Sequence, residues 1–287
     1  MEAELLVSIA AGTAAMLGYG VSDLFGSILS KKEDPIRLNL WYFALSTVIL
    51  AIVAVLFYKP LALNSYKAAI LAFTSIFSVL GLVFFIKGLR AGKLSIVMPI
   101  ASTYSIIPIA IGVLFLAEAP TGIQYAGIAF AVIGTAITSM DFHKLSIHSG
   151  MLLPGVGYGI LTMLMWGFFY AGIGVLSKSM GWLYPVLIST AASAAILLIF
   201  SIIKNRNIAL PRRSGKTIIL WVLLGTAALV SYGFGTEYGS MPLVSPITAS
   251  AVIVSVLLGI TILKEKLKRN QLVGIGLIIA GIAMIAI

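Results

Sequence analysis

The sequence predicts an all-α membrane protein with ten transmembrane helices, arranged as an inverted five-plus-five structural repeat. Three observations predict it: the composition, ten long apolar segments, and an internal repeat. Of the 287 residues, 60% are hydrophobic and 10% are charged, and the mean hydropathy is +1.11. Soluble domains carry about 25% charged residues. Because so few charged side chains cannot cover a water-exposed surface, we expect the chain to lie in a bilayer.

The apolar segments each approach the ~20 residues that a helix needs to cross the hydrocarbon. In chain order the ten are Leu5–Ser30, Leu38–Tyr58, Ala68–Gly88, Leu94–Leu116, Ile123–Met140, Leu152–Ser177, Tyr184–Ile203, Ile218–Glu237, Leu243–Leu263 and Leu272–Ile287. The short connections between them carry the charges, so a soluble second domain is not expected.

The two halves of the chain repeat each other without gaps at a constant offset, 239 − 92 = 147 residues. Gly92 falls on Gly239, Pro99 on Pro246, and Glu118 on Glu265. Matches of Gly, Pro and Glu are informative in a sequence where apolar matches are common. They predict two units, residues 1–147 with helices one to five and residues 148–287 with helices six to ten.

Basic residues predict the orientation. Sixteen of the 19 Lys and Arg residues lie in connections that follow odd-numbered helices. The positive-inside rule places those connections in the cytoplasm and both termini outside a cytoplasmic membrane. Because each repeat has five spans, the second copy crosses the membrane in the opposite sense. Inverted repeats are typical of alternating-access transporters, whose substrate site lies near the midplane where the repeats meet.

Three features carry a resemblance to a known family. Prolines lie inside helices four and nine, and the segment FLAEAPTGIQYAGIAFAVIG returns as ILKEKLKRNQLVGIGLIIAG. Aromatic–glycine pairs occur as GYG at Gly18–Gly20 and as MWG at Met165–Gly167. In these features the whole chain resembles the EamA-type, ten-helix members of the drug/metabolite transporter superfamily. The resemblance implies transport of a metabolite, since such proteins carry amino acids, sugars or nucleotide derivatives. The family usually has tryptophan in helix one, whereas here Trp166 lies in helix six.

Asp23 is the main candidate for function. A carboxylate inside a membrane helix costs at least ~2.5 kcal/mol on insertion scales and tends to mark a transport pathway or a proton relay. Tyr19 lies one turn before it on the same face, and the repeat equivalents of the two are Trp166 and Tyr170. We expect these four residues to face a central cavity. The alternative is that Asp23 reaches the interface or pairs with a lysine of a loop.

Pro99 and Pro246 each remove a backbone hydrogen bond and predict a bend in helices four and nine. The bend is a hinge or a substrate contact in one interpretation, and a packing kink satisfied by neighbouring hydroxyls in the other. The full set of candidate substrate-binding residues is Tyr19, Asp23, Tyr42, Ser102, Tyr104, Trp166, Tyr170, Tyr232, Thr248 and Ser250.

Two further groups match across the repeat. Glu118 and Glu265, at the ends of helices four and nine, are expected to accept hydrogen bonds from the first amides of the next helix; proton coupling is the alternative. Glycines seven residues apart predict close packing of helices five and ten, with a homodimer seam as the alternative. They are Gly127, Gly134, Gly274 and Gly281.

The sequence has no cysteine, and His143 and His148 are interpreted as solvated loop residues, so we expect no metal and no cofactor. No nucleotide-binding loop or hydrolase motif is found, which argues against an enzyme and makes a gradient the energy source.

We expect a carrier of a small polar or amphipathic metabolite such as an amino acid; the alternative is a flippase for lipids or lipid-linked sugars. The expected partners are this substrate, membrane lipids and protons, with no nucleic acid; monomer and homodimer both stay open.

Overall fold

The computed structural model describes residues 2–57, 63–139, 154–264 and 269–285. Over these ranges the chain forms α-helices and short 3₁₀ turns, and no strand. The helices are α1 (Glu2–Ser30), α2 (Pro35–Leu56), α3 (Ser65–Ala91), α4 (Leu94–Ser102), α5 (Ile106–Phe115), α6 (Gly122–Ser139), α7 (Val156–Met180), α8 (Leu183–Ile203), α9 (Gly215–Tyr238), α10 (Met241–Ala249), α11 (Ala251–Thr261) and α12 (Arg269–Ile285).

The predicted ten-helix membrane fold is confirmed. Within the described ranges, eight spans are long and apolar enough to cross a bilayer, counting α4 with α5 and α10 with α11 as single broken spans. The other two, α6 and α12, have shorter apolar runs. Both broken spans belong to equivalent positions of the two repeats, predicted helices four and nine.

Some helices begin earlier than their apolar runs because a polar residue caps them. Asp34 accepts hydrogen bonds from the backbone amides of Ile36 at 3.0 Å and Arg37 at 3.1 Å. Pro35 occupies the first helical position, where its missing N–H is no loss. As a result α2 begins three residues before the predicted Leu38.

The two repeats interlock rather than fold as separate halves. α1 packs against α9, α10 and α11, and its repeat equivalent α7 packs against α3, α4 and α5. The pairs α2–α8 and α6–α12 join equivalent helices of the two repeats. This pattern is what a two-fold axis between the repeats produces. It defines two groups, which we name the α1 bundle (α1, α9, α10, α11) and the α7 bundle (α7, α3, α4, α5).

Glycine allows α6 and α12 to cross at backbone contact. A Cβ atom added at Gly127 would lie 2.7 Å from the Gly281 carbonyl oxygen, and one at Gly281 would lie 2.6 Å from the Ala131 nitrogen. Gly134 and Gly274 are also buried. The close approach at Gly127 and Gly281 is therefore made within one chain.

Candidate functional site

Five of the candidate aromatic residues lie together between the two bundles. The Tyr170 ring of α7 stacks on Tyr104, with ring centroids 4.4 Å apart, and meets Tyr232 of α9 edge-on at 4.8 Å. Tyr19 of α1 meets Tyr170 edge-on with ring centroids 6.0 Å apart, and Trp166 of α7 meets the same Tyr170 ring edge-on at 6.5 Å. We name these five residues the aromatic cluster. Such edge-on and stacked pairs are the favoured geometries of aromatic rings.

The break between α4 and α5 positions Tyr104. The chain departs from α-helical geometry at Thr103–Ser105, one turn after Pro99, and forms a 3₁₀ turn. In the second repeat the equivalent break falls at Ser250, one turn after Pro246. Two hydroxyls satisfy carbonyls at these breaks: Thr103 donates to Ile100 at 2.7 Å and Ser250 donates to Pro246 at 2.8 Å.

Two other hydroxyls at the breaks have no such partner. Ser102 and Thr248 are 1% and 0% exposed, and neither hydroxyl oxygen has a hydrogen-bond partner among the described residues. A buried polar group left unsatisfied costs about 1–3 kcal/mol. Because buried hydroxyls normally find a partner, each of these two hydroxyls is suited to receive an external hydrogen-bonding group.

Asp23 is buried next to α11. Its Oδ2 accepts a hydrogen bond from the Ser255 hydroxyl at 3.0 Å, and the side chain is 5% exposed. Across the described residues no lysine or arginine forms an ion pair with it. Ser255 was not among the predicted residues, since its repeat equivalent is Pro108 and the repeat therefore gave no signal.

Tyr42 lies beside Asp23 on the α2–α9 side of the aromatic cluster. Its ring packs on Trp221, with centroids 4.6 Å apart. Its hydroxyl lies over Gly225, where an added Cβ atom would come within 2.3 Å of the phenol oxygen. Ser22, next to Asp23, donates to the Trp221 carbonyl at 3.1 Å. The Tyr42 and Ser22 hydroxyls thus both lie beside Gly225 of α9.

Glu118 has a different partner from the expected one. Instead of capping the next helix, α6, its Oε2 accepts the backbone N–H of Met241, the first residue of α10, at 2.8 Å. Ala117, which directly precedes Glu118 and lies two residues after the end of α5, adopts a left-handed conformation (φ 53°). α6 is capped by Thr121 and Gln124 instead. Glu265, the repeat equivalent of Glu118, lies outside the described residues.

Lys178 completes this contact. Its ammonium lies 3.1 Å from Oε1 of Glu118 and donates to the Gly239 carbonyl at 2.7 Å. The equivalent Lys31 donates to the carbonyls of Arg90 and Gly92, both at 2.9 Å, at the opposite end of the bundle. The repeat match of Lys31 and Lys178 was the signal that could have identified both lysines from sequence.

Inverted membrane-spanning repeats that meet at a buried cluster of aromatic, hydroxyl and carboxylate groups define a multi-pass membrane protein of the transporter class. The chain belongs to the EamA-like transporter family, whose sequence model matches residues 6–140 and 153–287. The two matched ranges correspond to the two repeats, and the resemblance inferred from the prolines and the repeated segment is confirmed.

Two individual proteins are also similar. An uncharacterized protein of Methanocaldococcus jannaschii is 31% identical over 137 residues, which is 45% of this chain and 98% of that protein. A solved structure titled "Crystal structure of protein" superposes with a TM-score of 0.71 over 97% of each chain, at 15% identity. At that identity the likeness shows a shared fold.

Proposed function

We propose that the protein is a secondary active or facilitative transporter that moves a small polar or amphipathic metabolite, such as an amino acid, across the cytoplasmic membrane by alternating access. The observation that carries the proposal is that two buried hydroxyls, Ser102 and Thr248, lack a partner among the described residues at the breaks of the two proline-containing spans, within two residues of Tyr104 and Ala249, which pack in the same core as Tyr170 and Tyr232. Ligand sites combine mostly apolar walls with a few placed polar groups. This arrangement supports a substrate with an apolar part and a hydrogen-bonding part.

The helix contacts favour a particular moving unit. In transporters built from inverted repeats, one repeat generally rocks against the other around the substrate site. Each repeat's main contacts, however, are with the other repeat, so separating the repeats would break most of the packing. The α1 bundle and the α7 bundle are the better rigid units, since each keeps its own contacts while the surface between them opens.

Both ends of the surface between the bundles are bridged by polar contacts. Glu118, three residues after α5, and Lys178 of α7 bind backbone groups at the junction of α9 and α10 in the α1 bundle. Lys31, directly after α1, donates to the Arg90 carbonyl at the end of α3, on the other side. In the proposed cycle the polar contacts at one end break while the contacts at the other end are kept. The distribution of basic residues supports an outer location for the Glu118 contact and an external position for both termini.

The test is ligand-dependent stability. The melting temperature of the purified protein is measured with amino acids, sugars, nucleosides and lipids, because a ligand that binds only the folded state raises stability by RT ln(1 + [L]/Kd). We expect one soluble class to raise it, and expect Ser102→Ala/Thr248→Val to abolish that increase. Ser231→Ala is the control, since Ser231 is partly exposed and its hydroxyl donates to the Ala227 carbonyl within α9.

A second outcome of this measurement distinguishes a flippase from a metabolite carrier. If soluble compounds have no effect and lipids stabilise the protein through Ser102 and Thr248, the metabolite-carrier proposal is wrong and a lipid substrate replaces it. Uptake by proteoliposomes then measures transport of whichever compound binds.

A further inference from the structure

A polar cleft lies away from the aromatic cluster, at the end of the molecule that holds Lys31. It has a volume of about 450 Å³, within the roughly 300–1,000 Å³ of small-molecule sites. The start of α2, the end of α3, the start of α7 and the end of α8 surround it. Its lining includes three basic side chains, Lys87, Arg90 and Arg206, against one carboxylate, Asp34.

The positive charge of this cleft is only partly neutralised. Arg206 lies 3.6 Å from the Asp34 carboxylate and 5.9 Å from the centre of the Phe200 ring. Lys87 and Arg90 form no ion pair with any carboxylate of the described residues. Two cations of α3, one turn apart, therefore face the cleft with their charge uncompensated.

The fold does not require these charges. Adding 147 residues to Lys87 and Arg90 gives Phe234 and Glu237 at the other end of the bundle. There the Phe234 ring packs near Trp182 and Tyr238, and Glu237 accepts the backbone N–H of Trp182. Equivalent positions are thus filled by an aromatic ring and an acid. At these two positions the basic charge is therefore found at one end and not at the other.

Apolar surface continues from the cleft toward the middle of the membrane. Tyr158 and Phe200, which line the cleft, are 37% and 38% exposed. One turn deeper on the same two helices, Leu161 and Ile196 are also exposed. A soluble anion would leave this surface unused, whereas a phospholipid would place its headgroup among the cations and its acyl chains along α7 and α8.

We propose that this cleft binds the phosphate headgroup of an anionic phospholipid, with Lys87 and Arg90 as the principal contacts. Basic pockets between membrane helices, on the side where basic residues concentrate, suit such headgroups. Arginine and lysine at the phosphate supply charge-assisted hydrogen bonds. The proposal does not depend on transport, because the cleft lies apart from the aromatic cluster.

The test compares lipids and variants in an uncharged detergent. Phosphatidylglycerol is expected to raise the melting temperature more than phosphatidylcholine does. Lys87→Gln/Arg90→Gln is expected to weaken apparent phosphatidylglycerol affinity on the order of tenfold or more, and Lys87→Arg/Arg90→Lys to retain most of it. The Arg90 carbonyl, which Lys31 uses, is unaffected by these side-chain changes.

Lys32→Gln/Lys204→Gln is the matched control, because it removes two exposed charges from the same end of the molecule. Equal loss of affinity in this control, or equal stabilisation by phosphatidylcholine, would overturn the proposal. So would an equal melting-temperature increase from inorganic phosphate or glycerol phosphate alone, which would indicate a soluble anion. Should the double variant not fold, Lys87→Gln alone gives the same comparison with a smaller expected loss.

Discussion

The Glu118 carboxylate lies 3.1 Å from the Lys178 ammonium, and each of these side chains also binds a backbone group of the opposite bundle. Glu118 receives the Met241 amide, at the N-terminus of α10, where a helix favours negative charge. Lys178 binds the Gly239 carbonyl at the C-terminal end of α9, where a helix favours positive charge. The ion pair therefore bridges two helix ends of opposite polarity and links the two bundles.

Lys178→Met is predicted to weaken the contact between the α1 bundle and the α7 bundle at this end of the molecule. With the ammonium removed, Glu118 loses its ion pair and the Gly239 carbonyl loses its donor. Since the chain has no cysteine, Ser245→Cys in α10 gives a single site for a membrane-impermeant maleimide. We expect labelling from the proposed outer side to become several-fold faster. Lys67→Met is the control at the same end; equally fast labelling there would show a general loss of stability instead.

Asp23→Asn is predicted to remove proton coupling. The carboxylate is buried against Ser255. The asparagine amide has the same shape but does not ionise, so it cannot take up and release a proton during transport. Accumulation of substrate driven by a pH gradient across proteoliposomes should fall to the equilibrium level, while exchange of labelled substrate continues. Ser255→Ala keeps the carboxylate and should shift the pH profile without abolishing it. Uptake that stays pH-dependent in Asp23→Asn would show that another group carries the proton.

Gly281→Leu is predicted to destabilise the protein. A side chain there meets the backbone of α6 at 2.6 Å, and overpacking of this kind costs about 1–3 kcal/mol. The matched control is Gly276→Leu in the same helix, where an added Cβ atom has nothing within 4 Å. Thermal unfolding in detergent should separate the two. Equal melting temperatures would contradict the intrachain contact of α6 and α12.

Tyr170→Ala is predicted to be far more damaging than Tyr170→Phe. The ring contacts Tyr104, Tyr232 and Tyr19, so its removal leaves a cavity, and aromatic-to-alanine changes in cores cost about 3–5 kcal/mol. Phenylalanine keeps the ring contacts. The Tyr170 carbonyl that accepts the Tyr232 hydroxyl is also kept, since it belongs to the backbone. Melting temperatures of the two variants check this; similar losses would mean that the Tyr170 hydroxyl, not the ring, matters.

The cleft at Lys87 and Arg90 could not be predicted from the sequence. In the sequence these residues belong to the excess of basic residues that orients the protein in the membrane, and nothing distinguishes them from Lys32 or Lys204. Their cleft is formed by four helix ends from both repeats. Proximity of that kind depends on how distant segments pack, and an orientation rule based on loop charge carries no information about it.

The sequence by itself determined the helical spans, the two repeats and the family, because each depends on local apolar length or on residue matches at a constant offset. It also indicated the aromatic residues and the two proline-containing helices. Tertiary structure alone decided the partners: Glu118 with Met241, 123 positions apart, and Asp23 with Ser255, 232 positions apart. The physical reason is that a hydrogen bond requires two atoms at about 3 Å. Only the packing of interlocked repeats brings such distant residues to that distance.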